Sequence, residues 1–337
     1  MKVFLYQKSQ KMIKKSGIGR AFRQQSVALK MNGVEVVSSA KSEYDVAHFN
    51  TVFPDAYRAL KKAKKQGKPV VVHAHSTKED YLNSFNFANL TKGWFYRRLK
   101  KMYSAADALI TPSEYSKGLI EGYGWTDKPI YAISNGIIVE DYQRDEAKEE
   151  AFLKHFNLKE DDKVIIGIGL LFVRKGLPDF IEVARSFPDV KFIWFGSLSK
   201  AMQTRVIKKA IKNKPDNVIM PGYIAGDIIK GALTRANGML FPSYEETEGI
   251  VVLEGMASRI PVLVRDIPVY DSFTHNFDCL KASNNEEFVI QVRRMLEEDL
   301  SSIVEEGYKN VCTKQLKQIG EQMKAVYETL IEKEETK

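Results

Sequence analysis

Two glutamates, Glu246 and Glu254, stand eight positions apart where the chain passes from an apolar run through a loop into a helix. The run ends in Pro242-Ser243, and Gly249 opens an apolar helix that carries the second glutamate. Both carboxylates can therefore face the crevice beyond a strand's carboxyl end, where open α/β sheets bind ligands. Because carboxylates accept hydrogen bonds from hydroxyl groups, the pair suits a ribose and a hexose held side by side. Two solvated charges are the alternative, and the apolar neighbours of Glu254 disfavour it.

Two further segments have the residue types that bind phosphate groups. Arg174 and Lys175 follow the first apolar run of the second half, where fixed cations can hold a diphosphate and stabilise it as it leaves. Near the amino terminus, Gly17 and Gly19 join the first apolar run to a helix. Glycines there let the backbone approach an anion at the positive end of the helix. A solvated basic turn and a plain glycine turn are the alternatives.

His73 and His75 end another apolar run, and strand alternation places both imidazoles on one face. Such a pair can bind a metal, but no third ligand accompanies it, and two histidines are poor evidence for zinc. A buried structural histidine is the other interpretation that the residues leave open.

Apolar runs alternate with helical patterns along the whole chain, which favours parallel sheets with helices on both faces. The predicted strands are Val3–Tyr6, Val46–Phe49, Val70–Val72, Ala108–Ile110, Val164–Leu170, Phe192–Phe195, Val218–Met220, Gly238–Phe241 and Pro261–Val264. The clearest helical patterns are Gly19–Met31, Pro54–Gln66, Gly93–Ala105, Glu114–Glu121 and Lys314–Leu330. The polar stretch Val139–Asp161 is short of strand signals, and we expect a linker between two domains there, ending near Glu150.

Composition indicates an ordinary globular protein of two domains. The 337 residues suffice for two buried cores, and 44% are hydrophobic and 28% charged. Cys279 and Cys312 lie far apart and match no metal spacing, which favours a reduced, cytoplasmic setting. The first apolar run is too short for a signal peptide, and the longest one, Val164–Val173, is about half a membrane span.

The positive charge is concentrated in the first half. Residues 1–144 hold 24 Lys and Arg against 12 Asp and Glu, a net charge of +12, whereas the whole chain is +8. One lobe is therefore expected to meet an anionic surface. Its cations form two clusters, the second with aromatic residues at its start, as in helices that lie on anionic membranes. The candidate membrane-binding residues are Lys61, Lys62, Lys64, Lys65, Trp94, Phe95, Arg97, Arg98, Lys100 and Lys101.

Two alternatives compete with membrane binding. An ordinary amphipathic helix would pack Phe95, Leu99 and Met102 inward and leave the cations solvated. A nucleic-acid-binding module is suggested by interleaved basic and aromatic residues, but it leaves Glu246 and Glu254 unexplained, so we expect no nucleic-acid partner.

The glutamate segment resembles the signature of retaining glycosyltransferase family 4, in which seven residues separate two glutamates. The matching residues are Pro242, Ser243, Glu246, Gly249, Glu254, Ala257 and Pro261. Glu248 stands where the family usually has phenylalanine. The resemblance implies an α/β protein of two Rossmann-like, doubly wound parallel-sheet domains facing across a cleft, the GT-B fold. The expected domains are an acceptor- and membrane-binding domain at 1–142, with the helix 316–337 packed back on it, and a nucleotide-sugar-binding domain at 150–315.

The resemblance also implies roles for the donor-binding residues. Glu246 contacts the donor sugar and Glu254 the ribose, while Gly249 starts the helix between them. Lys175, with Gly176, and the Gly17–Gly19 loop hold the phosphates. The family often has arginine where this chain has Leu170, and Arg174 is expected to substitute for it.

For the other side of the reaction, the resemblance places His75 at the donor sugar and the reaction centre. Ser113 and Asn135 match a loop serine and an asparagine-glycine turn, and we assign them to the acceptor. Family members of this type usually need no divalent metal, and no Asp-x-Asp suited to one is present, so neither a metal nor another cofactor is expected.

The opening segment, Phe4-Leu5-Tyr6 through Lys11–Arg20, is similar to that of bacterial synthases that add a second hexose to monoglucosyl-diacylglycerol. Their diglycosyl product is the glycolipid anchor of lipoteichoic acid. This similarity implies a retaining hexosyltransferase that moves glucose or galactose from a UDP-sugar to a glycolipid. It would work at the inner face of the cell membrane as a peripheral cytoplasmic protein. A cytoplasmic family 4 enzyme that builds a polysaccharide or glycosylates a protein is the alternative, and the donor hexose, the linkage and the oligomeric state stay open.

Overall fold

The computed structural model describes residues 1–6, 17–82 and 84–336, which form two compact units. The first unit comprises Met1–Tyr81, Leu90–Ile137 and Lys314–Lys337, and the second comprises Leu82–Asn89 and Ile138–Thr313. Most of the segment that resembles the glycolipid synthases, including Ser16, lies outside the described residues, as does residue 337.

The first unit is built on a six-stranded parallel sheet with the order β2-β1-β3-β4-β5-β6. Its strands are β1 (Lys2–Leu5), β2 (Glu35–Val37), β3 (Val46–Phe49), β4 (Val70–His73), β5 (Ala108–Thr111) and β6 (Ile130–Ala132). Its helices are α1 (Gly17–Met31), α2 (Pro54–Lys65), α3 (Lys78–Tyr81), α4 (Ala88–Tyr103), α5 (Glu114–Gly122) and α13 (Leu316–Glu335). Helices cover both faces of the inner strands, so β3, β4 and β5 are buried along their whole length.

The second unit has another six-stranded parallel sheet, with the order β12-β11-β10-β7-β8-β9. Its strands are β7 (Val164–Ile168), β8 (Lys191–Phe195), β9 (Val218–Gly222), β10 (Gly238–Phe241), β11 (Val262–Arg265) and β12 (Leu280–Ala282). Its helices are α6 (Glu146–Phe156), α7 (Leu177–Ala184), α8 (Arg205–Lys212), α9 (Asp227–Arg235), α10 (Ile250–Ala257), α11 (Asn285–Glu297) and α12 (Ser301–Cys312). Short 3₁₀ helices occupy Val139–Tyr142, Val173–Lys175 and Pro268–Tyr270.

Both sheets have the strand orders of doubly wound α/β domains, so the predicted fold class of two Rossmann-like domains is confirmed. The stretch predicted as a linker differs from expectation. It contains α6, whose Phe152 is fully buried, and Gly231 of α9 lies so close that a Cβ there would be 2.0 Å from the carbonyl oxygen of Lys148. This part of the chain is therefore a packed helix rather than an extended connection.

The helix α13 packs against α1 within the first unit. A Cβ on Gly320 would lie 2.2 Å from the carbonyl oxygen of Ala28, so the two backbones approach closely at a glycine. The amide of Asn32 donates hydrogen bonds to the carbonyl oxygens of Ala28 and Lys317, both at 2.9 Å. Among the described residues, we find no helix with the length and apolar character needed to cross a bilayer.

Candidate active site

The strand order of the second unit reverses between β7 and β10, which is the point where doubly wound sheets bind ligands. The loops after these two strands touch. Gly176 has a φ of 73°, and a Cβ there would lie 2.2 Å from the carbonyl oxygen of Pro242. The backbone N–H of Tyr244 donates to the carbonyl oxygen of Arg174 at 2.7 Å. The close approach of the backbones fixes the residues on the two loops relative to each other.

The two loops bring Lys175 and Glu246 into contact, as an ion pair whose side chains are 15% and 8% exposed. The hydroxyl of Ser243 also donates to Glu246 Oε1, at 2.6 Å. Burial on its own would raise the pKa of Glu246, but the charges of Lys175 and Arg174 and these hydrogen bonds hold the pKa below its ordinary value. The carboxylate is therefore ionised at neutral pH, directly beside a fixed cation.

Arg174 lies at the same place and is held by two hydrogen bonds. Its Nε donates to the hydroxyl of Ser84 at 2.8 Å, and its Nη1 donates to the carbonyl oxygen of Glu245 at 2.9 Å. The guanidinium is thus fixed near Glu246. The structure brings together the two predicted cations and the first predicted glutamate.

Glu254 lies on α10 and is only 2% exposed. Gly249 caps this helix with a φ of 84°, and a Cβ there would lie 2.5 Å from the Tyr270 hydroxyl oxygen, so a glycine is required. The hydroxyl of Tyr142 donates to Glu254 Oε1 at 2.7 Å. The sequence did not point to Tyr142, because it lies in the polar stretch interpreted as a linker.

In the first unit, the imidazoles of His73 and His75 stack, with ring centroids 4.2 Å apart. His75 Nε2 donates to the side-chain oxygen of Asn50 at 2.7 Å. Burial lowers the pKa of His75 to about 3, so the ring is neutral. Asn50 was missed, although a polar residue directly after a wholly buried strand, next to the switch point of the sheet, is a usable signal.

The remaining predicted residues of this unit serve mainly local structure. Ser113 caps α5, since its hydroxyl accepts from the backbone N–H of Ser116 at 3.1 Å. Asn135 is buried before Gly136, whose φ is 76° and whose missing Cβ leaves room for Leu316. Their assignment to the acceptor stays a prediction.

The predicted glycine loop is only partly described. Gly17 begins α1, and Gly19 is buried in its first turn. A Cβ on Gly17 would meet nothing within 4 Å, so packing does not require glycine there. The phosphate-binding role of both glycines stays a prediction.

The two basic clusters lie on α2 and α4, and the two aromatic residues of the α4 cluster differ in their exposure. The exposed cations are Lys61, Lys62, Lys64 and Lys65 on α2 and Arg97, Lys100 and Lys101 on α4. Trp94 is 58% exposed, with the Arg98 guanidinium 4.3 Å from its ring centroid. Phe95 instead stacks on Tyr81 at 3.9 Å, and Leu99 is fully buried, as the amphipathic-helix alternative predicted. A groove of about 440 Å³ lies between α2 and α4. It is lined by Tyr57, Arg97, Lys100, Lys101, Ser104 and Ala105.

Within the described part of the chain, no three or more histidine, cysteine, aspartate or glutamate side chains are grouped in a way that suits a metal ion.

A doubly wound sheet with a cation and two carboxylates near its switch point is suited to a nucleotide bearing a sugar, and the comparison with known families agrees. Residues 16–141 match the model described as Glycosyltransferase Family 4, and residues 148–311 match that described as Glycosyl transferases group 1. The chain belongs to glycosyltransferase family 4, and the predicted family and enzyme class are confirmed.

Two individual relatives and one solved structure are similar to most of this chain. The chain is 49% identical over 332 residues to the processive diacylglycerol alpha-glucosyltransferase of Acholeplasma laidlawii, covering 98% of this chain and 99% of the relative. It is 25% identical over 239 residues to the alpha-galactosylglucosyldiacylglycerol synthase of Streptococcus pneumoniae, covering 70% of this chain and 64% of that one. The crystal structure of Anabaena HepE in complex with UDP and glucose superposes with a TM-score of 0.78 at 16% identity, covering 98% and 100% of the two chains. At that identity the likeness shows the GT-B fold alone.

Proposed function

We propose that the protein transfers glucose from UDP-glucose to a diacylglycerol-based glycolipid, such as monoglucosyl-diacylglycerol, with retention of the anomeric configuration. The observation that carries this proposal is the buried pair of Lys175 and Glu246 at the carboxyl ends of β7 and β10. The cation suits the pyrophosphate of the donor, and the carboxylate suits the hydroxyls of its hexose. The identity of 49% to a diacylglycerol alpha-glucosyltransferase supports glucose as the sugar and a lipid as the acceptor.

In the proposed reaction, the bond between C1 of glucose and the β-phosphate oxygen breaks. Lys175 and Arg174 stabilise the departing UDP, so the proposal requires neither a metal nor another cofactor. The acceptor hydroxyl forms its bond to the same face of C1, and its proton passes to the departing phosphate oxygen. Glu246 positions the hexose without forming a covalent bond, and Glu254 holds the ribose. His75 takes part as a neutral hydrogen-bonding partner of a sugar hydroxyl.

In this proposal, the first unit binds the glycolipid at the anionic inner face of the membrane. Ser113 and Asn135 are assigned to the acceptor. Arg97, Lys100 and Lys101 of α4 line one groove together with Tyr57 of α2, which supports a surface for anionic headgroups. The ammonium of Lys61 lies 5.3 Å from the centroid of the Tyr57 ring, next to this groove. Exposed Trp94 supplies an amphipathic ring of the type that sits at the headgroup boundary. Phe95 packs inward and does not contribute to this surface.

The test is a transfer assay with radiolabelled UDP-glucose or UDP-galactose. Diacylglycerol, monoglucosyl-diacylglycerol, a water-soluble oligosaccharide and a protein are offered as acceptors in the presence of anionic vesicles. We expect label from UDP-glucose in a glycolipid that α-glucosidase digests. Label from UDP-galactose only, a β-linked product, or transfer to a water-soluble acceptor only would each contradict the proposal.

A matched pair of variants connects the assay to the site. Lys175→Ala should abolish most transfer, whereas Lys309→Ala removes a 60% exposed lysine from a surface ion pair and should leave the rate unchanged. Equal rates for wild type and Lys175→Ala would refute the assignment of the donor site.

A further inference from the structure

Three buried histidines of the first unit form a row. His48 and His73 have ring centroids 5.6 Å apart and an interplanar angle of 4°, and His73 and His75 are 4.2 Å apart at 11°. Their exposures are 0%, 2% and 7%. Since β3 and β4 pair in parallel, the row runs across the sheet beside its switch point.

Each ring contacts a different polar side chain. His48 Nδ1 is 2.6 Å from the hydroxyl of Tyr327 on α13, and the amide nitrogen of Gln25 on α1 donates to His73 Nδ1 at 2.8 Å. His75 Nε2 is 2.7 Å from the side-chain oxygen of Asn50, which directly follows β3. The three contacts come from different parts of the unit: α13, α1 and the residue that follows β3.

The partner of His75 determines which ring nitrogen has the proton. An amide oxygen only accepts, so Nε2 of His75 must donate and Nδ1 keeps its lone pair. Burial lowers the pKa of His75 to about 3, and burial followed by the neighbouring histidines lowers that of His73 well below its ordinary value. His75 is therefore a neutral ring whose Nδ1 can accept a hydrogen bond.

The side chain of Asn50 lowers the stability of the fold, which a purely structural role would not explain. It is 3% exposed, and its side-chain nitrogen has no hydrogen-bond partner among the described residues. A buried donor without a partner destabilises the fold, whereas a leucine of similar size would not. The presence of an amide at this position is therefore best explained by its oxygen, which accepts the hydrogen bond from His75.

We propose that Asn50 is a positioning residue, which fixes the ring orientation and the Nε2-protonated tautomer of His75 so that Nδ1 accepts a hydrogen bond from a sugar hydroxyl. This inference rests on the proposed function through the role of His75. It assigns to Asn50 no contact with the substrate.

Two substitutions of similar size separate positioning from structure. Asn50→Leu removes the oxygen, and kcat should fall on the order of 100-fold, as for a displaced catalytic group, with little change in KM for UDP-glucose. Asn50→Asp keeps the oxygen and the tautomer, but its carboxylate favours the charged imidazole and raises the pKa of His75. Its rate should therefore match wild type at high pH and fall on the acidic side, where the wild-type profile is flat.

The control is Tyr327→Phe, which removes the hydroxyl beside His48 at the other end of the row and leaves the contact between Asn50 and His75 in place. Its kcat should equal that of wild type. A kcat loss in Tyr327→Phe as large as in Asn50→Leu would overturn the proposal, because it would show that the whole row is merely structural.

A spectroscopic measurement makes the inference independent of turnover. In ¹⁵N-histidine-labelled protein, His75 should show one protonated Nε2 and one unprotonated Nδ1, and Asn50→Leu should give a mixture of tautomers. A protonated Nδ1 in wild type, or an unchanged spectrum in Asn50→Leu, would refute the inference even if transfer is observed. If wild type transfers no sugar, the proposed function fails while the spectra still decide the role of Asn50.

Discussion

The two units hold their buried polar groups in opposite ways. In the second unit, the ionised carboxylate of Glu246 is paired with Lys175. In the first unit, the histidines of the row are neutral, and amide or hydroxyl groups hold them. A charged ligand can exchange with one member of an ion pair, whereas a neutral row offers hydrogen bonds to neutral hydroxyls. This difference is consistent with the proposed function, in which the second unit binds the pyrophosphate and the first unit contacts an uncharged sugar.

The largest effect is expected from breaking the ion pair. Lys175→Met should reduce transfer on the order of 100- to 1,000-fold, because the departing diphosphate loses its cation. It also leaves Glu246 buried without its partner, which costs about 3–5 kcal/mol of stability. The double variant Lys175→Met/Glu246→Gln removes both charges and should recover stability but not activity. Initial rates and thermal unfolding measure the two effects, and recovered activity in the double variant would contradict the comparison.

A related pair of variants tests the substitution of Arg174 for the family arginine. Arg174→Ala should slow transfer, and adding Leu170→Arg to it should restore part of the rate. No rescue would indicate that a cation at position 170 cannot replace the guanidinium fixed by Ser84 and Glu245.

The next effect concerns membrane binding by the basic surface of the first unit. Changing the four lysines of α2 to glutamine should weaken binding to anionic vesicles, measured by flotation, on the order of 1,000-fold, since each contributes about 1 kcal/mol near such a surface. The matched control changes four exposed cations of α8 in the second unit, which removes the same charge. These are Arg205, Lys208, Lys209 and Lys212. Equal loss in both variants would show that net charge, and not the surface of the first unit, decides membrane binding.

Acid should destabilise the units over different pH ranges. Burial holds the pKa of His48 and His75 at about 3, below the ordinary 6.5, so only the unfolded chain takes up their protons as the pH falls. The free energy of unfolding should therefore decrease from about pH 6.5 downward, by about 1.4 kcal/mol per pH unit for each histidine. The lowered pKa of Glu246 instead adds stability above 4.5, which is lost only as the pH falls through its folded value.

Urea unfolding at several pH values between 7.5 and 5 measures this dependence. His48→Gln should show a shallower slope than wild type, whereas Glu246→Gln should keep the slope. A free energy of unfolding that stays constant over this range would show that the histidines are not neutral in the folded protein.

The smallest effect is expected at Glu254. Tyr142→Phe removes a hydrogen bond to a buried carboxylate, which contributes about 1.5–3 kcal/mol, and part of this loss should appear as roughly tenfold weaker binding of UDP. Calorimetry with UDP measures it. Tyr308→Phe removes a hydroxyl beside the surface ion pair of Arg259 and Glu305 and should bind UDP as wild type does. Unchanged affinity for UDP in Tyr142→Phe would argue against a contact between Glu254 and the ribose.

The sequence predicted the inner strands well because they are buried on both faces. The bounds of β3 and β10 agree with the apolar runs that predicted them. The edge strands β2, β6 and β12 were missed, since each has three residues and β2 and β6 are partly exposed. The helix α4 begins at Ala88 rather than Gly93, because the glycine followed by aromatic residues was interpreted as a helix start.

The site shows the same division between local and long-range information. Spacing identified Lys175 and Glu246 separately, but they are 71 positions apart, and only the strand order brings them into contact. The contact from Tyr142 to Glu254 spans 112 positions, and that from Asn50 to His75 spans 25. A residue pattern reports which side chains have suitable chemistry, whereas their partners depend on the register of the fold.

The discontinuous path of the chain through the first unit has a consequence for biosynthesis. The ribosome makes the entire second unit before Leu316–Glu335 emerges, and only then does Tyr327 reach His48. Domains fold as units during translation, so the nascent chain completes the second unit first. The half proposed to meet the bilayer is therefore the last to be completed, after the whole of the second unit has been synthesised.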